Sequence, residues 1–538
     1  MKLDFGTAGI RGIVGDGEDQ LNQAHAARVV DGFAKYLLQH VPDAKNRGVV
    51  IGRDNRIRGK IFANLSAQIL TSYGIKVYFD NQMVATPFIS FLTLKNKAAG
   101  ALNITASHNP KEYNGIKVYN QYGAQMLPDE IKALKSYFLP YENYLDYFQF
   151  DQEVTNSLVL PITEADHLDY LNAIRQLNFN QVNLGNLKIV YSALHGVGYQ
   201  YVKELLDLSR CQIFYQNEEV QEDENFSHVV NPNPERKAAF KNSIVLANKV
   251  GADLILITDP DADRLGVAIR QNGDFVLLTG NEMAILICDY LLKNKPLDQN
   301  KTNYLIYSHV STSLPDLMAQ SKKIKVYRVD TGFKWIGNLV QALESQESFF
   351  FAFEESYGTL INGTISHDKD ALQTLYLMAI IAAEAKKQNT SLLERLEQIY
   401  HEYNFYLVAK TLNLDLPNPA AFSQIVKLFE KAAPEVNLNF GPLKTKPCCN
   451  QLNCQSHNQT TNDENTYILY APTKQTQTLN EIEMQANNHS WIIIRPSGTE
   501  PKYKVYMHVV GVNKTSAQKR FDVLLSWVKK VVEEVKIK

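Results

Sequence analysis

Five cysteines in 538 residues are too few for a disulfide scaffold, and an odd number leaves at least one thiol unpaired. Excess charge of either sign is missing as well: 55 Lys and Arg against 57 Asp and Glu give a formal net charge of −2. That balance removes the electrostatic footprint of a nucleic-acid binder and of a polybasic membrane surface, so any bound anion must be held by local geometry. Long apolar runs are absent too. The most apolar stretch, Leu375–Ala383, falls far short of the roughly 18–20 residues that cross a bilayer and reads as a buried helix. The opening MKLDFGTAGIRG lacks the apolar centre of a secretory signal and carries Asp4 where one would begin, so the expectation is a chain that folds from residue 1 in a reducing cytoplasm. With 45% hydrophobic and 21% charged residues, the composition is that of a globular chain, not a disordered one.

What is present is an alternation of short β-rich runs with longer helical patterns. Gly48–Ile51 precedes Gly59–Tyr73, Leu187–Ala193 precedes Tyr199–Leu208, and Asp253–Thr258 precedes Asn281–Leu292. This argues for α/β layers on largely parallel sheets. Polar or Pro-containing transitions near 151–183, 294–303 and 411–420 divide the chain into segments 1–180, 181–298, 299–412 and 413–538. The last pairs an apolar run, Trp491–Ile494, with an amphipathic stretch from Ser516 to Val535, which suggests a small α+β unit. Residues 443–465, rich in Asn, Gln, Thr and Cys without apolar periodicity, read as a surface insertion. Its Cys448, Cys449, Cys454 and His457 match no usual structural zinc spacing.

Four short motifs carry chemistry. In ILITDPDADRLG, a strand-like run meets Asp259, Asp261 and Asp263 at i, i+2 and i+4, and an extended loop would turn all three carboxylates toward one point. Such charges repel unless a cation lies between them, and hard oxygen ligands select Mg²⁺ or a similar ion, although a Pro-containing acidic turn explains the same segment. An EF-hand is excluded, because Arg264 and Arg270 stand where Gly and the bidentate Glu are needed. In AAGALNITASHNP, Ser107 stands at the exit of a strand, where open α/β sheets bind ligands, although a Ser/Asn-Pro turn explains the same residues. Ten residues on, Lys117 lies on a run that could return beside it. RPSGTEPK combines Arg495 and Lys502 with the Ser497 and Thr499 hydroxyls and Gly498, and suits either a phosphate clamp or a tight turn. In FAFEESYG, Glu354 and Ser356 share a face if extended and would suit vicinal sugar hydroxyls, although an exposed strand end explains the same residues. GRDNRIRGK has the wrong spacing for a Walker loop, and HGVGYQY lacks the third glycine of a dinucleotide fingerprint, so neither ATP nor NAD is indicated.

The order of these motifs resembles the α-D-phosphohexomutase superfamily, from FGTAGIRG to RPSGTEPK. GTAGIRG, SHNPKEYNGIKVY, DPDADRLG and GFKWIG look most like the branch that includes phosphoglucomutase, phosphomannomutase and phosphopentomutase-like enzymes. The resemblance implies four domains around a central cleft, three related α/β units with mixed sheets and a smaller C-terminal α+β unit, one loop from each. It also implies that Ser107 is the phosphorylated serine, that Asp259, Asp261 and Asp263 hold Mg²⁺ together with it, and that Arg11 and His108 line this centre. Lys117 and Lys369 would act as acid/base groups. Arg264, Gly332, Phe333, Glu354 and Ser356 would bind the sugar, and Arg495, Ser497, Gly498 and Thr499 the phosphate not being transferred. The implied partner is a small phosphosugar, with a sugar 1,6-bisphosphate as intermediate, acting on a monomer or weak homo-oligomer without nucleic acid or membrane. Glucose and mannose phosphates are favoured. A phosphopentomutase is the alternative, ahead of a metal-dependent phosphatase or a non-catalytic sugar-phosphate binder.

Overall fold

The computed structural model describes residues 3, 5–6, 9–207, 209–415, 421–432, 467–470, 489–496 and 502–537. They fall into two compact units, one of Met1–Ser308, Lys323–Val326 and Thr331–Leu392, the other of His309–Lys322, Tyr327–Asp330 and Leu393–Lys538.

The first sheet runs, in spatial order, through Phe5–Gly6, Gly9–Ile13, Tyr113–Tyr119, Gly100–Ile104, Val49–Arg53, Val77–Tyr78 and Val159–Leu160. Val49–Arg53 and Gly100–Ile104 are buried at every position, as strands covered on both faces must be. Helices Gln23–His40 and Gly59–Ser72 belong to this layer, the first capped by Asn22, whose side chain accepts from the His25 N–H. Gly9, at φ 128°, lets the N-terminal ribbon lie against Tyr113–Tyr119, since a Cβ there would sit 2.0 Å from the Ile116 carbonyl oxygen.

A second sheet orders Asp274–Leu277, Leu265–Gln271, Leu254–Thr258, Lys188–Ser192 and Gln212–Tyr215. The expected passage from strand to helix is interrupted here: two antiparallel strands precede helix Gly280–Asn294. Asn272 and Gly273, both at positive φ (49° and 89°), close their hairpin, and the Asp259–Asp263 turn reverses the chain before it. The third sheet orders Lys325–Val329, Thr302–Ser308, Glu347–Glu354 and Gly358–Leu360. All three sheets that include strands of this unit lie among α/β layers, and the first two and the Thr302–Leu360 strands combine parallel and antiparallel pairs. They are therefore mixed, where the strand and helix alternation alone suggested largely parallel pairing. The most apolar stretch lies within helix Ala371–Lys387, buried along nearly its whole length.

In the second unit, Tyr406–Asp415, Lys502–Gly511, Trp491–Pro496 and Tyr467–Tyr470 form an antiparallel sheet. Helices Ala421–Ala432 and Lys514–Ile537 supply Phe422, Phe429, Leu524 and Trp527 to a core with Ile492, Val505 and Met507. Val310 packs with Trp491, Ile493 and Tyr506 in a separate cluster of this unit. The insertion read at 443–465 lies outside the described residues. Among the described residues no helix is long and apolar enough to cross a membrane.

The turn after Lys188–Ser192 fixes the Asp-rich turn. Val197 N–H donates to the Pro260 carbonyl at 2.9 Å, and a Cβ on Gly196 would lie 2.3 Å from Pro260 Cα. Gly196→Ala should therefore cost about 1–3 kcal/mol of stability through overpacking. Urea unfolding measures it, and a loss within experimental error would mean that the two turns are not rigidly packed.

Candidate active site

Ser107 leaves the end of strand Gly100–Ile104 in the left-handed region, at φ 51°. Its N–H donates to Thr105 Oγ1 at 2.8 Å, and Thr105 donates in turn to Asp54 Oδ2 at 2.5 Å. Asp54 faces Arg56, whose side chain is wholly buried. The Arg56 guanidinium donates to the carbonyls of Pro110 and Tyr113 (both 2.8 Å), of Asn109 (2.6 Å) and of Ser107. One cation thus ties four backbone carbonyls of the serine loop, which fixes a conformation that costs a non-glycine residue on the order of 1–3 kcal/mol. Burial pushes the Asp54 carboxyl up to about 6, against the pull of Arg56 and Thr105.

The Ser107 hydroxyl donates to Asp259 Oδ2 at 2.8 Å and lies 3.2 Å from His108 Nδ1. Asp259 Oδ1 accepts the N–H groups of Asp263 (3.1 Å) and Arg264 (3.0 Å), and Ala262 sits at φ 53°. The acidic segment is therefore a tight turn held by its own first carboxylate, not the extended loop that the i, i+2, i+4 spacing suggested. The outcome for the side chains is the same: one oxygen from each of Asp259, Asp261 and Asp263 lies within 4.8 Å of the others, all buried. Asp261 Oδ2 accepts from Thr86 Oγ1 (2.6 Å) and Lys117 Nζ (2.7 Å), while Asp263 Oδ2 accepts from Lys117 Nζ at 3.0 Å. Asp261 Oδ1 and Asp263 Oδ1 are buried and accept no hydrogen bond. A buried carboxylate oxygen without a donor is a place for a cation, so the donor set fits a hard divalent metal.

Electrostatics within the cluster are uneven. Burial, with Asp261 and Asp263 alongside, holds the Asp259 carboxyl well above the usual range. Burial also opposes charge on Asp263, but Lys117, Lys369 and Arg264 outweigh it and hold that carboxyl well below the usual range. Lys117 comes from strand Tyr113–Tyr119, opposite Asn103 of the serine strand, and Asp261 and Asp263 overcome its burial to keep the ammonium charged. Lys369 Nζ lies 3.3 Å from Asp263, 3.9 Å from Glu354 and 5.8 Å from the ring centre of Phe333, which opens helix Phe333–Leu343 behind Gly332 at φ 105°. Its charge is favoured in the same way, by Asp263 and Glu354 against burial.

Arg264 pairs with Glu235 at 2.8 Å. Arg11, from strand Gly9–Ile13, donates to Asn109 Oδ1 at 3.0 Å. Burial, together with Arg264 and Arg11, drives the His108 imidazole far below its ordinary value, so it is neutral beside the serine. Glu354 ends its strand with a buried side chain. Ser356 does not continue that face: the chain turns at Glu355–Tyr357, Tyr357 takes φ 65°, and the Ser356 hydroxyl donates to Glu355 Oε1 at 3.3 Å. Arg495 belongs to strand Trp491–Pro496 of the second unit, opposite Lys504, and Ser497, Gly498 and Thr499 lie outside the described residues.

The sequence reading passed over Asp54, Arg56 and Thr86. GRDNRIRGK was weighed only as a nucleotide loop, yet a charged pair directly after an apolar strand was a signal for a site at that strand's end. Thr86 gave none, since nothing local marks a threonine whose partner is 175 residues away.

The same centre can be set beside proteins of known kind. Phosphoglucomutase/phosphomannomutase α/β/α domains I, II and III match residues 2–144, 166–273 and 279–403. A phosphoglucomutase of Staphylococcus aureus (strain N315) is 33% identical over 514 residues, covering 94% of this chain and 89% of its own. A phosphomannomutase of Mycoplasmoides pirum is 32% identical over 524 residues, covering 95% and 89%. Among solved structures, a phosphoglucomutase/phosphomannomutase family protein from Burkholderia thailandensis shares the fold at TM-score 0.69 and 19% identity, over 98% of this chain and 97% of that one. A phosphoglucomutase from Paramecium does so at TM-score 0.68 and 17% identity, over 99% and 96%. The chain belongs to the phosphoglucomutase/phosphomannomutase family, within the α-D-phosphohexomutase superfamily that its motif order resembles.

Two measurements test this centre. Arg56→Met strips four carbonyls and a buried carboxylate of their cation and should cost about 3–5 kcal/mol, with the serine loop becoming an early site of proteolysis. A loss below about 1 kcal/mol would show that the loop holds itself. The second concerns Glu354, whose carboxyl burial pushes up from 4.5 to about 7 despite Lys369 and Arg264. Between those values the native chain keeps a proton that the unfolded chain has lost, so stability present at low pH is lost as pH rises through about 7. The shift corresponds to at most about 3 kcal/mol. Glu354→Gln should flatten the decline in unfolding free energy from about pH 5 to about pH 8, and equal slopes for both proteins would show Glu354 ionised throughout.

Proposed function

We propose that this chain interconverts hexose 1-phosphates and hexose 6-phosphates, acting on glucose and mannose phosphates through a phosphorylated Ser107 and a sugar 1,6-bisphosphate. The observation that carries the reading is the Ser107 hydroxyl at 2.8 Å from Asp259, beside two buried carboxylate oxygens that accept no hydrogen bond. Asp259, Asp261 and Asp263, with the phosphate on Ser107, are the residues to hold Mg²⁺. Bound there, the ion would neutralise charge on the phosphoryl group in transit.

The chain's own residues do the rest. A sugar hydroxyl attacks the phosphorus of phosphoserine 107, the phosphorus to Oγ bond breaks, and the serine oxygen takes up a proton as the bisphosphate forms. In the reverse sense Ser107 gives up its proton and recovers the other phosphate after the sugar has turned over. Lys117 and Lys369, both held charged by carboxylates, are the acid/base groups: in each half-reaction the ammonium gives its proton to the departing oxygen, and the neutral amine so formed takes up the proton that the attacking hydroxyl loses. Neutral His108 keeps a ring nitrogen 3.2 Å from Oγ, and Arg11 holds the neighbouring Asn109. Arg264, Gly332, Phe333, Glu354 and Ser356 are assigned to the sugar, and Arg495, Ser497, Gly498 and Thr499 to the stationary phosphate. Few cysteines and the phosphorylated metabolites such a reaction consumes agree with a cytoplasmic enzyme.

Incubation with glucose 1,6-bisphosphate should add one phosphate to the intact protein, visible by mass, and Ser107→Ala should abolish it and lower turnover by on the order of 10³-fold or more. A panel of 1-phospho sugars with Mg²⁺ identifies the substrate. Unchanged turnover in Ser107→Ala overturns the mechanism, and ribose phosphate converted much faster than either hexose phosphate overturns the substrate.

A further inference from the structure

A second cluster of metal-capable side chains lies outside this centre. One donor atom each from His195, Asp223 and His228 come within 4.8 Å of one another. His195 is buried and sits at φ 65° in the turn after strand Lys188–Ser192, its N–H donating to the Glu219 carbonyl at 2.6 Å. Its Nδ1 faces the Gln221 carbonyl at 2.8 Å. A carbonyl only accepts, so Nδ1 carries the proton and Nε2 keeps its lone pair for the cluster. This is the arrangement in which a ligating histidine is oriented by a backbone carbonyl behind it. The sole hydrogen bond recorded at Nε2 is a long one, from the His228 N–H at 3.4 Å.

Asp223 is also pre-set. Its carboxylate accepts the N–H groups of Asn225 (2.9 Å) and Ser227 (2.8 Å), and the Ser227 side chain, ahead of those N–H bonds, holds it down to about 2. His228 is exposed, so the cluster is open to solvent on that side. The backbone beneath is anchored: Asn55 Nδ2 donates to the Asp223 carbonyl at 2.9 Å, and the Arg56 guanidinium lies 5.4 Å from the centre of the buried Phe226 ring.

We propose that His195 Nε2, the Asp223 carboxylate and a His228 ring nitrogen form a binding site for a borderline divalent transition metal of the Zn²⁺, Co²⁺ or Ni²⁺ type. Two imidazoles and one carboxylate suit such ions, whereas Mg²⁺ prefers the all-oxygen set of the Asp259–Asp263 turn. Tetrahedral zinc at about 2.1 Å from each ligand needs donors about 3.4 Å apart. The donors lie within 4.8 Å of one another, and the exposed His228 is the ligand that would move to close the set, with water to complete the coordination. Occupancy would clamp segment 219–229 to the turn at 193–197. Because Asp223 and Phe226 touch Asn55 and Arg56, the clamp would stiffen the segment whose arginine holds the serine loop.

The test uses untagged full-length protein in excess Mg²⁺, which saturates the Asp turn, and titrates Zn²⁺ by calorimetry. The expected result is one Zn²⁺ per chain, weakened by roughly 10–100-fold or more in His228→Ala and in Asp223→Asn. Since His228 is exposed, its variant should fold as the parent does, with Zn²⁺ raising the melting temperature of the parent and not of the variant. A triple Cys448→Ser, Cys449→Ser, Cys454→Ser protein should bind as the parent does. Zn²⁺ that binds equally to His228→Ala, that Mg²⁺ displaces, that disappears with the three cysteines, or that does not bind at all would each overturn the site.

Discussion

Three buried carboxylates, each with an oxygen within 4.8 Å of the others, set the terms for everything around them. At about 4 Å and an effective dielectric near 20, each like-charged pair repels by on the order of 4 kcal/mol. Three such pairs left alone would consume most of the roughly 5–15 kcal/mol that keeps a domain folded. The protein answers with position. Lys117 and Lys369 reach the cluster from a strand of the first sheet and from the loop before a buried helix, and Arg264 follows the last aspartate directly. Asp259, whose nearest charges include its own two neighbours, is the member that burial and repulsion hold toward its neutral form. A divalent cation would replace these makeshift partners with one better matched to the charge.

The serine opposite is held with equal insistence. Its left-handed backbone, its N–H on Thr105 and the Arg56 grip on the carbonyls around it set the hydroxyl between Asp259 and His108. Cost is moved into a buried Asp54–Arg56 pair that holds the serine loop in place. An arginine that makes no hydrogen bond to the carboxylate cluster thus positions the residue that does.

Much of this was legible in the chain itself, because the polar residues of the candidate site stand where apolar strands end. Ser107, the three aspartates and Glu354 each follow an apolar run that reads as a strand. Lys117 was legible as well, since a return strand ten residues later has few places to go. The exact path of the chain was not. Spacing of i, i+2, i+4 is equally compatible with an extended loop and with a turn, and only the hydrogen bonds from Asp259 Oδ1 decide between them. Ser356 was misplaced for the same reason. The Asn272-Gly273 hairpin is plain local turn chemistry that an alternation of strand and helix passes over. Arg56 was hidden by its short sequence context, as its four carbonyl partners lie 51 to 57 residues away.

The way the backbone is shared between the two units has a consequence for how this protein can be taken apart. The chain passes from one unit to the other five times, at 308–309, 322–323, 326–327, 330–331 and 392–393. The unit that contains the C-terminus is therefore not a terminal bead. A gene shortened after Leu392 would still encode Val310, now stripped of Trp491, Ile493 and Tyr506 and left as bare apolar surface. Excision of that unit would have to remove two inner stretches, 309–322 and 327–330, and rejoin the ends around 323–326, so a single terminal cut cannot separate the two units.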